Sequence, residues 1–113
     1  MENLCGIVKH KGSDTAVFLG CGSSINNITQ EQWNKIKQFD TWSTNNWAYH
    51  SFVPKFYHLE MRKPNTPARK LHIQLIQKKM EHEAYNNTVF VINRDRKYLF
   101  DIIGKNEKFI FIK

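Results

Sequence analysis

Between Thr15 and Thr29 an apolar strand runs into a helix start through a loop of the smallest side chains, and this succession narrows the fold more than any other stretch. Residues 15–19 read as a buried strand, broken by Gly20, Cys21, Gly22, Ser23 and Ser24. With no Cβ at Gly20 or Gly22, backbone amides can approach a neighbour or a ligand closely. Thr29 with Gln32 three positions later has capping-box spacing, so a helix is predicted over residues 30–38. Trp33 and Ile36 fall on its inner face, while Glu31, Asn34 and Lys35 stay in water. A helix start after such a loop offers free N–H groups to an anion, typically phosphate. The same loop serves equally as a tight turn without a ligand, because a full dinucleotide fingerprint needs a further glycine and a downstream acid.

Beyond this stretch, strands and helices alternate. Residues 41–44 form a second predicted strand, ending in Asn45 and Asn46, and residues 56–61 a third, whose start Pro54 sets. Thr66 and Pro67 suit an N-cap followed by proline at the first helical position. The helix they open is the longest, residues 67–85, with Ala68, Leu71, Leu75, Ile76, Met80 and Ala84 as its apolar stripe. Residues 88–92 and Phe109–Ile112 read as fourth and fifth strands, with a short helix at 97–103 stopped by Gly104. Residues 1–13 read as a loose arm or an extra leading strand.

At 113 residues the chain suits a single domain. The expectation is an α/β, Rossmann-like, mainly parallel sheet of about five strands with helices on its faces, joined by right-handed crossovers. Ligands of such sheets bind beyond the carboxyl ends of the strands. Residues 20–24, residues 45–47 and the loop after Met61 fall there. The Asn45 and Asn46 amides can read a base or a sugar, and consecutive asparagines are equally ordinary turn formers.

A net charge of +7 points to an anionic partner or to solubility alone. The basic pairs Arg62-Lys63, Arg69-Lys70, Lys78-Lys79 and Arg96-Lys97 are spread along the chain. Nucleic-acid binding needs them on one surface beside stacking aromatics, a platform that Trp42, Trp47, Tyr49 and Tyr57 supply unless they pack in the core. Two cysteines, Cys5 and Cys21, make no disulfide framework and fit a reducing compartment. There is no basic-then-apolar leader and no apolar run of about 18 residues, so no transmembrane segment is expected. The expected location is the cytoplasm, with peripheral attachment at the inner membrane surface as the alternative. The five histidines form no HExxH pattern, and no metal is expected. His72 and His82 read as solvated helix residues. Cys21 is either an activated nucleophile or a buried or half-buried inert thiol, and no histidine stands beside it in sequence.

Five stretches, Gly20-Cys21-Gly22-Ser23-Ser24-Ile25, Thr44-Asn45-Asn46-Trp47-Ala48-Tyr49, Phe56-Tyr57-His58, the helix around Leu71 to Met80, and the strand at 88–92, come in a telling order. In that order the chain resembles the N-terminal half of the bacterial sialyltransferases of the Campylobacter type and a related bacterial glycosyltransferase-like domain family. The likeness spans most of residues 14–113, and the first two stretches carry its sharp motifs. It implies a nucleotide-sugar-binding domain whose donor, a CMP-sugar or another nucleotide sugar, is held without a further cofactor. By the resemblance, Gly20 and Gly22 line the donor nucleotide site with Cys21 and Ser23, and Ser24 sits beside the phosphate. Asn45 contacts the donor, with Asn46 next to it, and His58 falls near a position where the family carries an asparagine. Cys21 replaces the asparagine usual between the glycines, and Ser23 replaces a proline; both leave the nucleotide's identity open. The family's general-base histidine and its assisting tyrosines lie beyond this chain's end, so no catalytic residue is assigned. The expectation is a donor-binding half, incomplete for catalysis, with self-association or a second polypeptide at the edge of the C-terminal strand. The alternative is a non-catalytic basic interaction module that binds phosphate groups or nucleic acid.

Overall fold

A computed structural model of the chain describes residues 7–60, 66–93 and 109–112. Five strands, β1 (Ala16–Leu19), β2 (Asp40–Thr44), β3 (Phe56–Leu59), β4 (Val89–Asn93) and β5 (Phe109–Ile112), form one sheet in the order β1-β2-β3-β4-β5. Every pairing is parallel, with Phe18 beside Trp42, Trp42 beside Phe56 and Phe56 beside Val89 in register. The predicted five-stranded parallel α/β architecture is the one observed.

Among the described residues, two α-helices, α1 (Gln30–Ile36) and α2 (Pro67–Glu81), and three short 3₁₀ segments (Ser23–Asn27, Asn45–Tyr49, Glu83–Tyr85) join the strands. The capping box forms as predicted: Gln32 N–H donates to Thr29 Oγ1 at 3.2 Å, and Thr29 N–H donates to Gln32 Oε1 at 2.9 Å. Thr66 caps α2 in the same way, its Oγ1 accepting from Arg69 N–H at 3.2 Å ahead of Pro67. The helix then stops at Glu81, earlier than the predicted Tyr85, because His82 turns extended and its Nδ1 accepts from Ala84 N–H.

Because the order is sequential, each crossover steps the same way, and right-handed connections bring α1 and α2 to one face of the sheet. On that face the alternate residues Leu19, Tyr57, Leu59, Phe90 and Ile92 pack against Trp47, Ala48, Ile73, Ile76 and Tyr85, with Trp33 and Ile36 of α1 at the margin. On the opposite face Phe56, Val89 and Val91 are buried with Ile7 and Trp42 beside them. Of the predicted arm or leading strand, residues 1–6 lie outside the described residues; residues 7–8 are helical, with Ile7 packed beside that face.

The segment before β1 is tied down at the amino-terminal end of the sheet. The buried Asp40 carboxylate accepts from the backbone N–H groups of Gly12 and Ser13 and pairs with Lys55 Nζ at 2.9 Å. Burial alone would raise its pKa, but the hydrogen bond and charge of Lys55 and the two backbone donors together hold it below the ordinary carboxylate value.

The buried stripe of α2 differs from the predicted one. His72, Ile73 and Ile76 are its buried residues, whereas Leu71 is 63% exposed and Ala68 and Ala84 also face solvent. His72 is 7% exposed, not solvated, because its Nε2 lies 3.0 Å from the Asn45 carbonyl and its ring stacks on Tyr49. His82 is exposed as expected. Met61, the loop at 61–65 and the predicted helix at 97–103 lie outside the described residues. Among the described residues no helix is long and apolar enough to cross a membrane.

Candidate ligand cleft

Two neighbouring strands end in short 3₁₀ segments at the carboxyl edge of the sheet, one after β1 and one after β2. Between them lies a cleft of about 180 Å³. Its polar lining comes from Cys21, Gly22, Ser23, Asn26, Asn46 and His50, and its apolar lining from Ile25, Trp47 and Tyr49. Depressions of about 220 and 240 Å³ are larger, but their lining residues lie at the amino-terminal starts of the strands. Parallel sheets place ligands at the carboxyl ends, so the smaller cleft is the candidate.

A framework of hydrogen bonds holds the β2 side of the cleft. Asn45 takes a positive φ of 32°, turning the chain sharply out of β2. Its carbonyl accepts from the Tyr57 hydroxyl and from His72 Nε2, and its side-chain Oδ1 accepts from Glu60 N–H at 2.7 Å. Tyr57 Oη in turn accepts from Ala48 N–H at 2.7 Å. Burial pushes the Tyr57 phenol far up, so it stays protonated as the donor this arrangement needs. Trp47 Nε1–H donates to the Phe52 carbonyl at 2.8 Å, which fixes the indole beside the cleft.

His50 is set by the same segment. Its ring stacks on Trp47 with centroids 4.5 Å apart, and its Nδ1 accepts from Phe52 N–H at 3.0 Å. Burial first, and then the positive charge of Lys79, hold its pKa below the ordinary imidazole value. The ring is therefore neutral with its hydrogen on Nε2, a single directed donor.

Of the residues picked out from sequence, Cys21, Gly22, Ser23 and Asn46 meet in this cleft. Gly20 and Ser24 flank it and are exposed. Asn45 is the hinge of the framework. His58 follows Tyr57 on the alternate pleat, the face that carries Phe56, where its Nε2 lies 3.4 Å from Glu60 Oε1. Cys21 is exposed, not buried or half-buried, because the loop lifts it clear of the core beyond the end of β1, and it shares the cleft with a histidine distant in sequence. Of the predicted aromatic platform, Trp47 and Tyr57 are buried in the core, while Tyr49 is 68% exposed.

Asn26 and His50 line the cleft although the sequence reading gave them no place in the donor site, and Tyr49, read there as part of an aromatic platform, lines it too. A 3₁₀ segment repeats every three residues, so Asn46 and Tyr49 share one side once residues 45–49 are read as one. The glycines are not explained by the backbone. Gly22 has φ −71° and ψ 158°, which any residue adopts. A Cβ at Gly20 would meet nothing within 4 Å, and one at Gly22 only Ser24 Oγ at 3.9 Å. Among the described residues no group of three or more His, Cys, Asp or Glu side chains gathers to hold a metal. The chain matches no family model, no curated protein and no solved structure.

Proposed function

We propose that the chain is a nucleotide-sugar-binding, sialyltransferase-like module whose donor occupies the cleft between the turns after β1 and β2. The observation that carries this reading is the convergence of Gly22, Ser23, Asn26, Asn46, Tyr49 and His50 at the carboxyl edge of a parallel sheet. Each group has a chemical part to play. The backbone around Gly22 and the Ser23 hydroxyl suit phosphate oxygens. The five-residue 3₁₀ segment is too short for a substantial dipole, so loop donors carry that contact. The Asn26 and Asn46 amides donate and accept, as the edge of a base or a ribose requires. The exposed Tyr49 ring offers a face for the base, and His50 Nε2–H adds a directed donor.

Size refines the assignment. Pockets that enclose a drug-sized ligand span about 300–1,000 Å³. At about 180 Å³ this cleft lies below that range, so it would hold only part of a nucleotide sugar and leave the rest outside. The competing reading, a basic module for nucleic acid, has two of its four platform aromatics, Trp47 and Tyr57, buried in the core, while Tyr49 is exposed.

The test is thermal melting with cytidine and uridine monophosphates, their sugar conjugates, and short single-stranded DNA and RNA. A ligand at about 100 times its dissociation constant adds roughly 2.7 kcal/mol of stability. The expected result is a shift with a pyrimidine nucleotide or its sugar conjugate that Gly22→Val removes. A shift produced by nucleic acid alone, and lost at high salt, replaces this reading with the interaction module.

A further inference from the structure

We propose that Trp33, which lies outside the cleft, is a positioning residue of the donor site: it clamps the turn at residues 50–52 and so fixes His50 as a donor through Nε2–H. The proposal rests on the reading of the cleft as a nucleotide site, and it names the side chain that orders one of its walls. The two walls come from different strands. Ser23, Ile25 and Asn26 belong to the segment after β1, whereas Asn46, Trp47 and Tyr49, with His50 as cap, belong to the segment after β2. The first wall leads into α1, where the capping box at Thr29 fixes the start of the helix. Trp33 stands on the first turn of α1, its N–H donating to the Thr29 carbonyl at 2.9 Å.

From there its indole reaches the second wall. It stacks on Phe52 with centroids 4.4 Å apart, lies 5.3 Å from the His50 ring, and meets Trp47 edge-on at 6.3 Å. Phe52 and His50 are the two partners of one hydrogen bond, the donation from Phe52 N–H to His50 Nδ1 at 3.0 Å. That bond selects the tautomer, because neutral imidazole accepts at Nδ1 only when its hydrogen is on Nε2. It also selects the ring orientation, since a half-turn of the imidazole puts a carbon where Nδ1 stands. A local bond from backbone to side chain in a half-buried turn competes with water and with other local pairings. Packed against both partners at once, Trp33 holds the turn closed and bars the half-turn. Trp47 stacks on His50 at 4.5 Å and donates to the Phe52 carbonyl, but it acts from within the same segment. Trp33 brings α1, and with it the wall after β1, against the turn.

Nitrogen NMR of the imidazole rings at about pH 8, where histidine is neutral, tests the clamp, beside calorimetric titration with cytidine and uridine monophosphates. In the parent chain the His50 signal, identified by its loss in His50→Gln, should show a single tautomer with the hydrogen on Nε2. Trp33→Leu should give a mixture of tautomers and about tenfold weaker monophosphate binding, the effect of one misplaced hydrogen bond. Trp33→Phe keeps a ring at the contact, and should restore both the single tautomer and the parent's affinity. Phe52→Leu leaves the backbone N–H in place but removes the ring that Trp33 stacks on, and should give the same mixture as Trp33→Leu; it carries the test if Trp33→Leu does not fold. A single Nε2–H tautomer retained in either leucine variant overturns the proposal. So does a Trp33→Phe chain as mixed at His50 as Trp33→Leu, or unchanged monophosphate affinity in a variant whose tautomers have become mixed. The tautomer is read without ligand, so it decides the clamp even in a parent chain that binds neither monophosphate, a result that removes the nucleotide reading and not the clamp.

Discussion

At the level of single residues, the two turns that frame the cleft behave oppositely. Gly22 sits in a conformation open to any residue, with room for a Cβ, so its substitution is a clean probe of the cleft. Gly22→Val should melt within about 0.5 kcal/mol of the parent, as exposed substitutions usually do, while nucleotide binding is lost. Calorimetric titration beside a melting curve separates the two effects, and unaltered binding removes this loop from the site. Asn45 is the reverse case, because its positive φ and its Oδ1 bond to Glu60 N–H are structural commitments. A Cβ-bearing residue without a local hydrogen bond costs about 1–2 kcal/mol in the left-handed region, whereas glycine is at ease there. Asn45→Ala should therefore unfold at lower denaturant than Asn45→Gly, and the opposite order shows that this backbone angle carries no strain. Tyr57→Phe leaves the buried Ala48 N–H without the phenolic oxygen that accepts from it. The expected loss is about 1–3 kcal/mol, measurable in urea.

At the level of elements, most strands were legible as short apolar runs that end in turn residues, while the largely polar β2 was marked by Trp42 and the Asn45-Asn46 turn after it, and β5 falls at the expected residues. The capping box of α1 and the Thr66-Pro67 start of α2 were legible because their chemistry is local. The buried face of α2 was legible only in part: Ile76 is buried and Leu75 and Met80 pack beside the core, as the stripe has them. A stripe drawn from apolar residues includes Leu71 and passes over His72, whose place depends on the Asn45 carbonyl, 27 residues earlier in the chain. Likewise, Asn45 and Asn46 read as an ordinary turn, which hid the 3₁₀ segment that brings Tyr49 and His50 to the cleft. The helix makes the difference measurable. Ile76 is fully buried, so Ile76→Ala should cost about 2–5 kcal/mol, while Leu71→Ala should stay within about 0.5 kcal/mol. Comparable losses at the two positions place Leu71 in the core and return the helix to the stripe first drawn.

At the level of the whole molecule, three titrating groups in different places push stability the same way as the solution is acidified. His50 and His72 both have pKa values held below the ordinary imidazole value, chiefly by burial; Lys79 adds to this at His50, while the Asn45 carbonyl partly offsets it at His72. A histidine that protonates more readily in the unfolded chain costs the fold nothing above its unfolded pKa, near about 6.5, and destabilises it below. Asp40 follows at lower pH. Its carboxylate is stabilised in the fold, so its contribution is whole above about 4 and is lost as the pH falls through its depressed folded value. Acid unfolding should therefore show two shoulders, the first from the histidines around the Asn45 turn and the second from the Asp40 clamp on Gly12 and Ser13. Melting temperatures recorded from pH 8 to pH 3 will resolve them. Asp40→Asn should flatten the lower shoulder and leave the upper one, while His72→Gln should reduce the upper one alone. A melting temperature that is level from pH 7 to pH 5 in the parent chain shows that neither imidazole is held neutral by the fold, and removes the basis for His50 as a fixed Nε2–H donor in the cleft.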